Sequence, residues 1–139
     1  MSNQNLKERT KQFALDAVKL VESLPTDRTC DILGRQLLRS GTSVGANYRA
    51  ACRAKSPADF VFKMGIVEEE ADESSFWLEL LVDAGKLNIG QASALLKESN
   101  ELVAISVASI NTARRSKDSR SPGSRVTHSA LRTPTSAFL

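Results

Sequence analysis

The run Leu33-Gly-Arg-Gln-Leu-Leu-Arg-Ser-Gly-Thr-Ser-Val-Gly-Ala-Asn-Tyr-Arg-Ala-Ala51 decides the fold. Leu33, Leu37, Ser40, Val44, Asn47 and Ala51 follow one another in steps of four and three, which is the spacing of one helical face. Two features make this face unusual: it holds Ser40 and Asn47, and Gly41 and Gly45 run beside it. Glycine in a helix costs about 1 kcal/mol relative to alanine. Two glycines one turn apart, beside Thr42 and Ser43, therefore predict a close helix–helix approach. Asn47 on an apolar stripe must find a hydrogen bond, and in a bundle a buried asparagine fixes register or oligomeric state.

The flanking segments repeat the pattern. Upstream, Phe13, Ala17, Leu20 and Leu24 fall in steps of four, three and four between Leu6 and Leu24. Pro25 ends that helix, and Thr26 or Asp27 caps the next. Downstream, Ser56-Pro57-Ala58-Asp59 restarts the chain as a helix, with a capping serine, a proline in the first turn and an acid at the positive end of the dipole. Phe60, Met64, Val67, Ala71, Ser74, Leu78 and Leu81 then form its apolar stripe, and Gly85 closes it. After Asn88 and Gly90 a fourth helix carries Leu96, Val103 and Ile110, and Leu95, Leu102 and Ser109, at intervals of seven, the period of left-handed bundle packing. This helix is expected to fray after Arg115. No segment alternates with period two. The reading is an all-α, antiparallel up-down-up-down four-helix bundle over residues 1–115. A basic, Ser/Thr-rich tail, residues 116–139, is expected to be disordered.

Length and composition agree. At 139 residues and 15.1 kDa the chain is one domain's worth, with 41% hydrophobic and 25% charged residues. Collagen-like, mucin-like and wholly disordered chains are excluded on composition, and a two-domain enzyme does not fit. No stretch approaches the ~20 apolar residues of a membrane span, and residues 1–11 lack the apolar core of a secretory signal. Cys30 and Cys52 lie about six turns apart on one helix, too far to pair. Free thiols point to the cytoplasm.

The net charge of +3 hides a pattern. Residues 1–55 sum to +5, residues 56–113 to −7 and residues 114–139 to +5. The bundle alone is therefore −2, and the basic pI comes from the tail. A basic tail suits either a solubilising, unstructured end or contact with an acidic surface, nucleic acid included. Opposite signs on the two halves suit helices that pair face to face, within or between subunits.

Catalytic chemistry finds little support. The only histidine, His128, lies in the tail without a scaffold, so a Ser/His/Asp or Cys/His arrangement is not expected. Glu68, Glu69, Glu70, Asp72 and Glu73 cluster on the third helix, but no Glu-x-x-His pair accompanies them, and a di-iron site is not expected. Glu68 and Glu79 lie nearest the apolar stripe and are expected to meet Arg35, Arg39 or Arg49. The cysteines form no Cys-x-x-Cys pair. Gly41 to Asn47 lacks the Gly-Lys-Ser/Thr end of a phosphate loop and follows no strand. The expectation is a non-enzymatic protein with no cofactor and no metal.

Three stretches carry a resemblance: Leu38 to Ala51, with its Arg-Ser-Gly-Thr-Ser-Val-Gly-Ala-Asn run; Lys55-Ser-Pro-Ala-Asp-Phe60; and Glu70-Ala-Asp-Glu-Ser-Ser-Phe-Trp-Leu-Glu-Leu80. Over residues 6–113 the chain resembles the bacterial four helix bundle protein family, also called the ribosomal RNA intervening-sequence protein family. That family is similar to the accessory protein of diversity-generating retroelements, a pentameric, basic barrel that binds nucleic acid and a reverse transcriptase. The resemblance implies an antiparallel bundle that assembles into a ring, typically a homopentamer, with no established enzymatic activity. It implies packing or subunit contacts for the motif residues Arg39, Ser43, Asn47, Arg49 and Glu79.

The residues themselves also suggest self-assembly. The second helix is rich in small residues, Gly41, Ser43 and Gly45 among them, and Tyr48, Phe62 and Trp77 are candidate exposed anchors of the kind interfaces favour. Phosphate contacts would come from Arg35, Arg39, Arg49, Arg53 and Lys55, extended by Arg114, Arg115, Lys117, Arg120 and Arg125. The expected partners are further copies of the chain and RNA or DNA, with no membrane. The alternative is a protein partner on an acidic ring face formed by Glu68, Glu69, Asp72 and Glu73.

Overall fold

The computed structural model describes residues 3–120, with side chains described from 5 to 116. Four helices follow in order: α1 (Asn3–Glu22), α2 (Arg28–Cys52), α3 (Pro57–Asp83) and α4 (Ile89–Arg120). Each packs on its sequence neighbour, and α1 also meets α4, so the four close into a bundle. Among the described residues there is no strand.

The connections are short, and local caps close helix ends at them. Asp27 caps α2 by accepting the Cys30 backbone N–H at 2.7 Å. Ser56 caps α3 by accepting from Asp59 N–H at 3.0 Å, while the Asp59 carboxylate accepts from Lys55 N–H at 3.0 Å. Asn88 and Gln91 form a reciprocal capping box at the start of α4, with bonds of 2.8 and 3.0 Å. Gly85, at φ +75°, ends α3, and Lys86 N–H reaches back to Leu81 C=O at 2.9 Å. This six-to-one bond is the Schellman pattern, and the left-handed backbone it needs favours glycine.

The core runs the length of the bundle. Phe13, Leu37, Val44, Met64, Val67, Leu78, Leu81 and Leu102 are its most enclosed large apolar side chains. The glycine-rich helix packs as expected: a Cβ on Gly41 would lie 2.9 Å from Ala17 Cβ, and one on Gly45 would lie 3.3 Å from Thr10 C=O. α2 therefore sits backbone-close against α1. A layer of small polar residues crosses the middle of the bundle. The Ser40 and Ser74 hydroxyls meet at 2.9 Å between α2 and α3, and those of Ser75 and Ser99 at 2.5 Å between α3 and α4. No buried side-chain polar atom among the described residues lacks a partner.

Four expectations are corrected. First, α4 continues to Arg120 instead of fraying after Arg115. The first helix breakers after Arg115 are Pro122 and Gly123, and nothing before them opposes the helix. The boundary drawn at 115 therefore falls inside α4, and residues 121–139 lie outside the described residues. Second, Asn47 is only half-buried, and its amide donates to Ser43 C=O one turn back at 2.9 Å. The glycines turn α2 toward α1, so Gly34, Gly41, Gly45 and Tyr48 are buried while Leu33 and Asn47 sit at the edge. Third, Tyr48 is no exposed anchor: it is only 2% exposed within the core. Fourth, Arg39 meets Glu70 and Glu73, not Glu68 or Glu79. Glu70 and Glu73 face α2, whereas Glu79 is exposed.

Candidate functional site

The face of α2 turned away from the core is an arginine stripe. Arg35, Arg39, Arg49 and Arg53 are all exposed there, over about 27 Å of helix at 1.5 Å per residue. Arg35 pairs with Asp31 on its own helix at 2.8 Å, a fully solvated contact. Lys55 is exposed just beyond the helix end. Arg114 and Arg115 are exposed near the end of α4 at the same end of the bundle as Arg53. Lys117 and Arg120 belong to α4, but their side chains lie outside the described residues, as does all of Arg125.

Arg39 is bound more firmly than the others. Its guanidinium spans Glu70, at 3.3 Å, and Glu73, and the Glu73 carboxylate also accepts from Trp77 Nε1 at 3.0 Å. The two glutamates are only 14% and 16% exposed. Burial pushes the Glu70 carboxyl above the usual carboxylate range, against the pull of Arg39. Arg39 is thus a clamp between α2 and α3 before it is a phosphate contact.

The outer face of α3 carries the second feature. Phe62, Ile66, Glu69, Glu73, Phe76 and Leu80 follow in steps of four and three, on the side opposite the core stripe. Phe62 is 67% exposed and Phe76 53%, while Ile66 and Leu80 are half-covered. The half-buried Trp77 packs edge-to-face on Phe76, with ring centres 4.9 Å apart. α3 therefore carries apolar side chains on two opposite faces, and on the outer one Phe62 and Phe76 stay exposed among the described residues. Reading the sequence for one core stripe picked out Phe62 and Trp77 alone; the second heptad-like run was there to be counted.

The remaining predicted contacts are dispersed. Gly41 and Gly45 serve the α1–α2 contact, and the Ser43 carbonyl holds Asn47. Burial and a hydrogen bond with Cys52 push the Tyr48 phenol well above its ordinary pKa. Burial pushes the Cys30 thiol up as well, and both cysteines are free. Sequence reasoning missed the ion cluster that joins α1 to α4, in which Arg9 bonds Glu98 at 2.6 Å and Glu101 at 3.0 Å. It also missed Lys86 on Asp27 at 3.1 Å, which ties the two turns at one end. Such pairs leave no mark in hydrophobic periodicity. Among the described residues no group of three or more His, Cys, Asp or Glu could hold a metal ion, and no helix is long and apolar enough to cross a membrane.

The fold and its surfaces define an antiparallel four-helix bundle with an arginine stripe on one helix and an uncovered apolar stripe on the next. The family model of the 23S rRNA-intervening sequence protein matches residues 2–108, and the chain belongs to that family. It is 36% identical to a protein of unknown function from the S23 ribosomal protein family of Bacteroides thetaiotaomicron. That crystal structure superposes with a TM-score of 0.70, over 75% of this chain and 96% of the other. No curated protein matches the chain.

Proposed function

We propose that the protein is a non-enzymatic, ring-forming homo-oligomer of the cytoplasm that associates with nucleic acid. One observation carries the assembly: the outer stripe of α3 leaves Phe62 and Phe76 in solvent on an ordered helix. Large aromatics of this kind mark interfaces. Five copies is the number to test, since that is what the resemblance implies. Light scattering behind a sizing column is the measurement, and a mass near five times 15.1 kDa is expected. A monomer at tens of micromolar would end the assembly reading.

The nucleic-acid reading rests on the arginine stripe of α2 and the basic end of α4. The relative's family name is ribosomal, which makes structured RNA the first ligand to test. Fluorescence anisotropy across a salt series is the assay. Saturable binding that weakens steeply with salt is expected. Absence of binding at low salt would favour a protein partner instead. The exposed acids Asp72 and Glu79, with the half-buried Glu68 beside them, support that second reading. Glu73 is not available to it, because Arg39 and Trp77 already occupy its carboxylate.

A further inference from the structure

Close packing of α2 on α1 gathers charge on the outer side of their seam. Gly34, Gly41 and Gly45 of α2 meet Val21, Ala17 and Thr10 of α1 in turn, so the two helices run antiparallel. One turn beyond the Thr10–Gly45 contact, Lys7 comes opposite Arg49. Lys11 follows Lys7 by one turn, and Arg53 follows Arg49 by one turn. At about 100° per residue, Lys7 and Lys11 stand about 60° and 100° round α1 from Thr10, in the sense of the chain. Arg49 and Arg53 stand about 40° and 80° round α2 from Gly45, in the same sense. In an antiparallel pair, equal senses fall on one side of the seam. Phe13 and Val44 turn the opposite way, into the core. The four cations therefore share the outer side, and all four are exposed.

We infer that this seam is a phosphate site: Lys7, Lys11, Arg49 and Arg53 grip the sugar–phosphate backbone of a double-stranded nucleic acid. The inference rests on the nucleic-acid reading above and brings α1 into it. The ion pairs of the described residues engage Arg9, Arg35, Arg39, Lys63 and Lys86, and none of the four seam cations. The chain around the seam offers little counter-charge. α2 and the turn after it hold no acid between Asp31 and Asp59. Glu8, the one acid before Asp16, stands about 160° round α1 from Thr10, away from the seam. Residues 1–4 add no charged side chain. Lys7 with Lys11, and Arg49 with Arg53, are like-charge pairs four residues apart, which destabilise a helix. An anion lying across the seam relieves both pairs at once.

The side chains of the seam select backbone over base. Arginine forks two N–H groups onto phosphate oxygens, and lysine adds a point charge. α1 and α2 contain no aromatic besides Phe13 and Tyr48, both enclosed in the core. Nothing on the outer side therefore stacks an unpaired base, as a single-strand platform does. Thr42, further along the same side of α2, turns its hydroxyl back onto Leu38 C=O at 2.7 Å. Contacts to phosphate alone carry no sequence information, so binding is expected to tolerate changes of base sequence.

The test uses the full chain with labelled RNA and DNA duplexes, followed by anisotropy across a salt series. Lys7→Gln together with Lys11→Gln is expected to weaken binding about tenfold at low salt and to lower the slope of log K against log salt by about 2. Lys19→Gln together with Lys97→Gln removes the same charge from exposed positions off the seam, and is expected to leave the slope unchanged. A second readout needs no variant. In the wild type bound to duplex, Lys7 and Lys11 are expected to be shielded from acetylation, while Lys19 and Lys97 react as in the free protein. Equal losses from the two double variants, or no shielding of Lys7 and Lys11, would overturn the seam and leave nucleic-acid binding standing. Binding to single strands alone would do the same. A wild type that binds no nucleic acid at low salt would overturn both.

Discussion

At the scale of single residues, backbone proximity decides the sign of a substitution. Gly41 and Gly65 are both helical glycines, and propensity alone would have alanine stabilise each. The Gly41 Cβ would meet the Ala17 Cβ at 2.9 Å, and neither atom can rotate away. Gly41→Ala is therefore expected to cost about 1–3 kcal/mol in urea unfolding, as overpacking does. Gly65 has nothing within 4 Å of a Cβ, so Gly65→Ala is expected to gain about 0.5–1 kcal/mol. Equal gains at both positions would mean that α1 and α2 are not in backbone contact. Asp27 makes a residue-scale case in pH. The Cys30 backbone N–H, followed by Lys86, holds its carboxyl below the ordinary value of 3.8. A lowered folded-state pKa stabilises above the unfolded value and is lost as pH falls through the folded one. Asp27→Asn keeps a capping oxygen but has no charge to lose. Its unfolding midpoint should fall less steeply than wild type's below about pH 5, and parallel acid limbs would remove Asp27 from the account.

At the scale of helices, the α2–α3 pairing turns on Arg39. Removing it strands two carboxylates that are largely covered. Arg39→Ala is expected to cost roughly 1–3 kcal/mol at neutral pH, since an unpaired, partly buried charge bears its own desolvation. Burial already raises the Glu70 carboxyl, so its ionised form costs folding stability at neutral pH and protonation relieves that cost. The deficit of Arg39→Ala should therefore shrink as pH falls toward 5, measured as the difference in urea midpoints from wild type. A deficit constant with pH would mean that Arg39 acts through its methylenes instead. This cluster also marks where sequence reading stopped. Apolar residues such as Met64, Val67, Leu78 and Leu81 declare a helix and its inner face by spacing alone. Whether Arg39 meets Glu68 or Glu70 depends on how far two helices rotate about their axes, and that rotation was set by Gly34, Gly41 and Gly45 drawing α2 onto α1. The same rotation buried Tyr48 and brought Asn47 to the edge. Small residues announce a close approach without saying to which neighbour.

At the scale of the whole molecule, charge placement separates the uses of the basic surface. The bundle as a whole attracts a polyanion only weakly by net charge, since residues 1–120 sum to +1. Binding has to come from the local field of the α2 stripe and the end of α4, with the acidic face of α3 turned elsewhere. Arg35, Arg49 and Arg53 lie exposed on α2, apart from the outer stripe of α3 that the proposed assembly would cover. Each phosphate neutralised on duplex DNA contributes about 0.9 to the slope of log K against log salt. Removing residues 121–139 takes away Arg125 and Arg132 only, and is expected to lower the slope by no more than about 2. Changing Arg35, Arg49 and Arg53 together to glutamine leaves the tail intact yet should remove about 3 contacts per chain and most of the affinity. If truncation abolished binding while the triple variant kept the wild-type slope, the interface would belong to the tail. The arginine stripe would then be a solvated helix face that keeps molecules apart from one another by like charge.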